Sequence, residues 1–426
     1  MVLIGAVLIC SIGQIQANNF STTNTETLGT FWAAAENTNR PVTVVSFGDS
    51  MADSYRSPTF HLMNRLTTRI GIAGYSMENY QNRTMWTPMN GAAEIQTGPF
   101  WFAQYFFLPA GSSLSWFNQH NSGGIPSDTA GVFYVAQPQG GQFRLSISTN
   151  GGPWITKLLL DGYNPTPVGR YTNVALKPDN HRIRLDCEYG TNYIIGTQHY
   201  LSHTGGVNVT FVDYPGISLG QVTNVPLAIR QPIFAALNPD LIIWHMKEPL
   251  DGLSVRMEEN ERWWSNSAPN TAVIYIGTTW GDFDNATNPY TMNQNTIVRN
   301  IATKYNRAYA DLLQPTISYS WLSSNGFMAD GVHLTSAGGL YCANIMWDDL
   351  GFFALGLNKK LSLTKTGSQV NVSYNTSTGA VYRLEVSTNL QTWSGVITNA
   401  VGNGVFSTNF TSPATPLFYR LGLRPQ

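Results

Sequence analysis

Charge is scarce in this chain. Its 426 residues hold 24 Lys and Arg and 25 Asp and Glu, so charged residues make up 12%, against roughly 25% in an average soluble protein. Asn, Thr, Ser, Gln and Gly must make the surface polar instead. A net charge of −1 gives no electrostatic reason to hold nucleic acid or an acidic membrane. Cysteine is nearly missing, with three in all, too few for a disulfide framework. Cys10 falls in the apolar start of the chain. Cys187 and Cys342 fall in segments of different character, so two buried free thiols are expected. The apolar run at the start is too short to span a bilayer, and no span is expected in the mature chain. There is no glycine-rich phosphate cradle, no dinucleotide fingerprint and no Cys pairing suited to zinc. Neither a cofactor nor a metal is expected. His199 and His203 stand four apart, but Gly196 before them and Gly205-Gly206 after them argue against a helix, and loops are expected there.

Aromatic residues are plentiful, with 12 Trp and 20 Tyr. They are read first as core packing and second as flat platforms for sugar rings. Residues 1–17 are almost uncharged, apolar through Cys10, and followed by an Asn-rich stretch. This pattern is read as a secretory signal with cleavage near Ala17, although the usual basic beginning is missing. The length points to two or three domains.

Two patterns alternate along the rest. Val42-Thr43-Val44-Val45-Ser46-Phe47 is continuous, β-branched and apolar, as a buried parallel strand should be. A helix follows through Phe60 to Leu66. Strands are predicted at Val207–Asp213, Asp240–Trp244 and Thr271–Ile276. Helices are predicted around 225–236, 291–306 and 336–348. Alternating strand and helix implies a parallel sheet covered on both faces. Between these halves, from about 85 to 205, short alternating runs such as Gln142–Ser148 and His181–Cys187 are separated by turn residues, which suggests an inserted β-sandwich. From about 358 the runs Leu361–Thr364, Val370–Tyr374, Tyr382–Val386 and Phe418–Leu421 alternate again and predict a small all-β module.

The chemistry sits in two motifs far apart. Gly48-Asp49-Ser50 follows the first strand and places a serine hydroxyl at the carboxyl edge of the sheet, where open α/β sheets hold ligands. A helix entered directly after Ser50 would also favour negative charge nearby. Asp330-Gly331-Val332-His333 brings an imidazole and a carboxylate three residues apart. Serine, histidine and aspartate are the parts of a nucleophilic acyl-transfer site. Ser50 is the candidate nucleophile. His333 is the candidate base, because imidazole titrates near neutrality. Asp330 is the candidate that orients it.

Gly48-Asp49-Ser50 with Asp53 after it, and Asp330 to Gly338 read as one block, resemble the SGNH (GDSL) hydrolase family over about 40–82 and 207–356. The resemblance implies a three-layer α/β/α flavodoxin-like fold, with hydrolase halves at 18–82 and 207–356; the inserted β-sandwich at 83–206 and the C-terminal β module at 357–426 lie outside it. That module, with Tyr382-Arg383-Leu384-Glu385-Val386, Trp393 and Phe418-Tyr419-Arg420-Leu421, resembles a domain common on secreted bacterial hydrolases. In the family the oxyanion hole uses the nucleophile's own N–H, a glycine N–H after the second strand, and an asparagine after the third. Gly216 fits the glycine role. No asparagine follows Leu241-Ile242-Ile243-Trp244; His245-Met246-Lys247-Glu248 stands there. Either His245 or Lys247 replaces the donor, or another segment does, or turnover is slow, since losing one such donor costs on the order of 10²–10³ in rate.

The resemblance implies a secreted or periplasmic bacterial carbohydrate O-acetylesterase acting on a polysaccharide or other acylated glycan. A lipid or aryl esterase is the alternative within enzymes, and a non-catalytic carbohydrate-binding protein on a degenerate scaffold is the alternative outside them. One competing motif exists. Gly216-Ile217-Ser218-Leu219-Gly220 matches the nucleophile elbow of α/β-hydrolases, but no clear helix is expected to start after it. The sequence is silent on oligomeric state.

Overall fold

The computed structural model describes residues 22–350, except 38, 53–54, 77–85, 96–104, 118–125, 214–215 and 285–288, together with Phe352 and six strands between 362 and 424. The expected signal at 1–17, Asp53 and Trp393 lie outside the described residues. Residues 18–350 cluster as one unit, and 351–426 belong to another.

The larger unit is mixed α/β around a mostly parallel sheet. Six parallel strands run in the order Ile72–Ser76, Val207–Asp213, Val42–Gly48, Leu241–His245, Ala272–Ile276, Ala308–Ala310. Every residue of Val42–Gly48 is buried, which is why the run is apolar without alternation. Chain progression reverses direction at this strand: Val207–Asp213 lies on one side and Leu241–His245 on the other. Such a switch point opens a crevice at the carboxyl ends of the strands.

Helices cover both faces. Pro58–Ile70 and Ser336–Asp349 pack together on one. Leu227–Leu237, Leu253–Ser267 and Tyr290–Lys304 form the other layer. There Phe47, Trp244 and Tyr275 of the sheet meet Phe234, Trp263 and Trp264 of the helices. Trp116, Trp244, Trp263 and Trp264 are fully buried, so these four tryptophans are core. Truncating one to Ala would cost about 3–5 kcal/mol. Among the described residues, no helix is long and apolar enough to cross a membrane.

The insertion is more closely joined to the parallel sheet than its composition suggests. Its strands Thr191–Tyr200, Ser127–Ala136 and Val168–Asp179 continue the parallel sheet past Ile72–Ser76. The seam is antiparallel, with Gln198 opposite Ser76 and Tyr200 opposite Gly74. Backbones approach so closely there that a Cβ on Gly74 would lie 2.0 Å from the His199 carbonyl oxygen. A second sheet, in the order Trp86–Met89, Ser113–Phe117, His181–Cys187, Gln142–Thr149, Ile155–Asp161, faces this extension. The core between them includes Leu114, Trp116, Phe143, Leu145, Ile183 and Leu185.

Several expectations change. His199 is not on a loop: it lies in Thr191–Tyr200, fully buried, 3.9 Å from the Trp116 ring between centroids. A helix does follow Gly216, at Leu219–Asn224, because Ser218 and Gln221 form a reciprocal capping box at its start. Strand Ile72–Ser76 and helix Leu253–Ser267 had no clear signal in the sequence. Cys187 and Cys342 are both free and buried.

In the smaller unit, two three-stranded antiparallel sheets form. One has the order Ser362–Thr366, Gln369–Asn375, Val405–Thr411, the other Ser394–Val401, Val381–Ser387, Phe418–Arg424.

Candidate active site

At the last position of strand Val42–Gly48 nothing larger than glycine fits. A Cβ on Gly48 would lie 2.1 Å from the His245 carbonyl oxygen and 2.6 Å from the Ala52 Cβ. Asp49 then turns the chain. Its buried carboxylate accepts the Met51 N–H at 2.9 Å and the Lys247 N–H at 3.0 Å, while its carbonyl accepts the Ala52 N–H. Burial pushes the Asp49 carboxyl up to about 7, against the pull of the two N–H donors. Ser50 sits on this turn, half-buried. The next helix begins at Pro58 with Ser57 as its cap, its hydroxyl accepting the Phe60 N–H at 2.9 Å. Ser50 is therefore not at a helix start as expected, because the fixed φ of Pro58 sets the first turn later.

The second motif lies on the loop before Ser336–Asp349. Thr335 caps that helix, its hydroxyl accepting the Gly338 N–H at 3.2 Å. Gly338 and Gly339 are required by close approach: added Cβ atoms would lie 2.3 Å from the Phe327 carbonyl oxygen and 1.9 Å from that of Arg56. The helix start is thereby pressed against the segments that leave the first motif and lead into the second. Asp330 Oδ1 accepts the Val332 and His333 N–H groups at 2.8 and 2.7 Å. Partial burial raises the Asp330 carboxyl, but these N–H donors and the imidazole outweigh it and hold the group down to about 2.

The three side chains meet. His333 Nε2 lies 2.9 Å from Ser50 Oγ, and His333 Nδ1 lies 2.9 Å from Asp330 Oδ2. Asp330 is 54% exposed and His333 39%, so the array opens to solvent. The depression beside it is small and lined by Ser50, Met51, Arg56, Ser57, Pro58, His333 and Leu334.

The other candidates lie at the same sheet edge but differ in what they offer. Gly48 is level with Asp213 on one side and His245 on the other. Gly216, exposed at φ +80°, and Lys247 thus both emerge just past the strand ends that flank Ser50. The His245 ring is fully buried, with Nδ1 3.5 Å from the Thr59 hydroxyl. Burial pulls it down to about 3, so it stays neutral. The Lys247 ammonium is buried as well, has no hydrogen-bond partner among the described residues, and lies 4.3 Å from the Phe283 ring centroid. Neither side chain presents a donor to the open depression. Ser218, the competing nucleophile, has its hydroxyl engaged in the capping box.

Sequence reasoning missed the turn Gly281–Asp284. The Asp282 N–H donates to the Gly331 carbonyl at 2.9 Å, and a Cβ on Gly331 would lie 2.2 Å from the Asp282 carboxylate. Nothing in the local pattern marks this contact, because it depends on where two distant loops cross.

No family model matches the chain, and no curated protein does. Solved structures do. A structure described as "Peptidoglycan O-acetylesterase in action, 5 min" matches with TM-score 0.59 and 15% identity, over 78% of this chain and 98% of that one. A carbohydrate esterase family 2 enzyme from Corynascus thermopiles (Myceliophthora fergusii) gives TM-score 0.29 and 10% identity, over 62% of this chain and 99% of that one. A putative GDSL-like lipase from Parabacteroides merdae gives 0.29 and 14%, over 34% and 73%. The first shares this chain's fold, mixed α/β around a mostly parallel sheet.

Proposed function

We propose that this protein is a serine ester hydrolase that removes acyl groups, acetyl first among them, from a polysaccharide. The observation that carries the proposal is the contact from Ser50 through His333 to Asp330. Ser50 Oγ attacks the ester carbonyl carbon as His333 Nε2 takes the hydroxyl proton. Asp330 holds Nδ1–H and stabilises the imidazolium. The carbon–oxygen bond to the sugar then breaks, and the imidazolium returns its proton to the sugar oxygen. Water attacks the acyl-enzyme with His333 as base, releasing the carboxylic acid and restoring Ser50.

The oxyanion falls to the N–H groups of Ser50 and Gly216, at neighbouring strand ends. His245 and Lys247 are buried and do not serve as the third donor in this arrangement. The small depression suits a short acyl group better than a lipid chain.

A polysaccharide substrate is supported by the insertion. Its outer sheet face carries a cavity of about 320 Å³ lined in part by Asn90, Ser113, Arg144, Thr156, Arg184 and Asp186. Arg184 pairs with Asp186 at 2.9 Å and lies 4.8 Å from the Trp154 ring centroid. Mixed donors and acceptors in such a cavity match sugar hydroxyls. A polymer substrate, too large to enter a cell, supports a location outside it or in the periplasm.

Turnover of p-nitrophenyl acetate by the wild type and Ser50→Ala tests the chemistry. The serine variant is expected to lose on the order of 10⁴–10⁶ in kcat. Acetate release from acetylated xylan, pectin, mannan and peptidoglycan then identifies the polymer. The missing third oxyanion donor favours a second reading, a non-catalytic glycan-binding protein. A wild type that turns over neither the chromogenic ester nor any of the four glycans selects it.

A further inference from the structure

Ser50 and His333 come from loops on different elements, and their alignment needs something between the two. On the serine side, the Asp49 carboxylate accepts the Lys247 N–H. On the histidine side, the Gly331 carbonyl accepts the Asp282 N–H. Asp282 belongs to a turn locked by Asp284, whose carboxylate accepts the Gly281 N–H at 2.7 Å, the Thr291 N–H at 2.9 Å and the Thr291 hydroxyl at 2.5 Å. The Lys247 side chain runs from the first loop to this turn. Its ammonium lies over the Phe283 ring, and a Cβ on Gly281 would approach Nζ to 3.0 Å.

A buried ammonium with no hydrogen bond is costly and persists only in a compensating field. Here that field comes from Asp284 and Asp282 of the turn and Asp49 of the serine loop. The other polar groups at this edge look elsewhere. Glu248 accepts the Leu219 N–H and lies 4.0 Å from Arg256, and the Tyr290 hydroxyl donates to the Glu248 carbonyl.

We propose that Lys247 is a positioning residue that couples the two halves of the Ser50–His333 pair, its ammonium drawing the Gly281–Asp284 turn toward the Asp49 loop. The inference rests on the esterase reading only for its kinetic consequence. It also accounts for the lysine where the resemblance implies asparagine: a donor to the oxyanion is exchanged for a charge that holds the scaffold. Burial pulls the ammonium down to about 8, with the three carboxylates pulling the other way. Raising the pH through that value removes the charge, leaves the carboxylates without it, and frees the turn that supports Gly331.

The test reads the His333 ring nitrogens by NMR in protein labelled with ¹⁵N-histidine. Besides a step near 7 from the Asp49 carboxyl, the wild type should show a second step near pH 8. Lys247→Met should lack that step, and Asp282→Asn should move it to lower pH. On p-nitrophenyl acetate, Lys247→Met should lose on the order of 10²-fold in kcat with little change in KM. Lys247→Arg, which keeps the charge, should recover most of the loss. A wild type without the second step, or Lys247→Met with it, overturns the proposal. If Lys247→Met does not fold, Lys247→Arg and Asp282→Asn decide it, since a step that persists in the first or stays in place in the second is equally fatal. A wild type that hydrolyses no ester defeats the esterase reading, and the His333 titration still judges this one.

Discussion

His333 Nε2 stands 2.9 Å from the Ser50 hydroxyl across 283 residues of sequence. The pair is held from behind by Asp330, which two backbone N–H groups keep ionised far below neutrality.

Asp330→Asn should therefore lower kcat by up to ~10⁴-fold, because the amide favours the wrong imidazole tautomer. Because Asp330 is pulled down to about 2, it stays charged over the whole working range. Its protonation should then add no limb of its own to the wild-type rate at acid pH. An additional limb between pH 3 and 5 in kcat/KM would contradict this.

Gly48 and Gly331 should fail differently when changed to Ala. At Gly48 the added methyl meets the backbone of His245, which cannot swing away, so stability should drop by about 1–3 kcal/mol. At Gly331 the obstacle is the side chain of exposed Asp282, which can rotate. Stability should change little there, while kcat falls as the Asp330–His333 loop shifts. Thermal melts beside ester turnover separate the two.

Acid stability should carry a mark of His245. Its folded pKa is about 3 against an ordinary 6.5. Its contribution is fully present above pH 6.5 and is lost as pH falls toward 3, since the unfolded chain takes up a proton that the folded one refuses. The slope is ~1.4 kcal/mol per pH unit. Buried His199 acts in the same direction. Asp49 and Glu248, both pushed up to about 7 by burial, act oppositely and favour the folded state as pH falls below 7. The informative quantity is the difference between wild type and His245→Gln in urea unfolding at pH 7, 5 and 4. That difference should shift toward the variant with acid; a constant difference would refute the assignment.

The cavity on the insertion should bind sugars without the reaction. In a Ser50→Ala background, Arg184→Ala should weaken retention on an immobilised acetylated glycan. About tenfold is expected, as for one hydrogen bond to a charged group. Equal retention would leave the cavity without a role.

The parallel strands and the serine and histidine motifs were legible because burial on both faces forces continuous β-branched runs and because short loops carry the reacting groups. Val207–Asp213 was read to the residue. The joining of the insertion to the parallel sheet was not legible, because Ile72–Ser76 is short and holds Gly74 where a strand signal would be strongest. Nor did the chain show that His245 and Lys247 turn inward. Polar residues after a strand look alike in sequence whether they face water or a buried carboxylate.

The antiparallel seam at Gly74 and Tyr200 bears on how this architecture can be dissected. Excising the residues between Ser76 and Val207 would leave Ile72–Ser76 with one flank of unpaired backbone donors and acceptors, a ready template for intermolecular pairing. The shortened protein should form aggregates instead of a smaller monomer, so this segment cannot be traded between scaffolds as a detachable cassette.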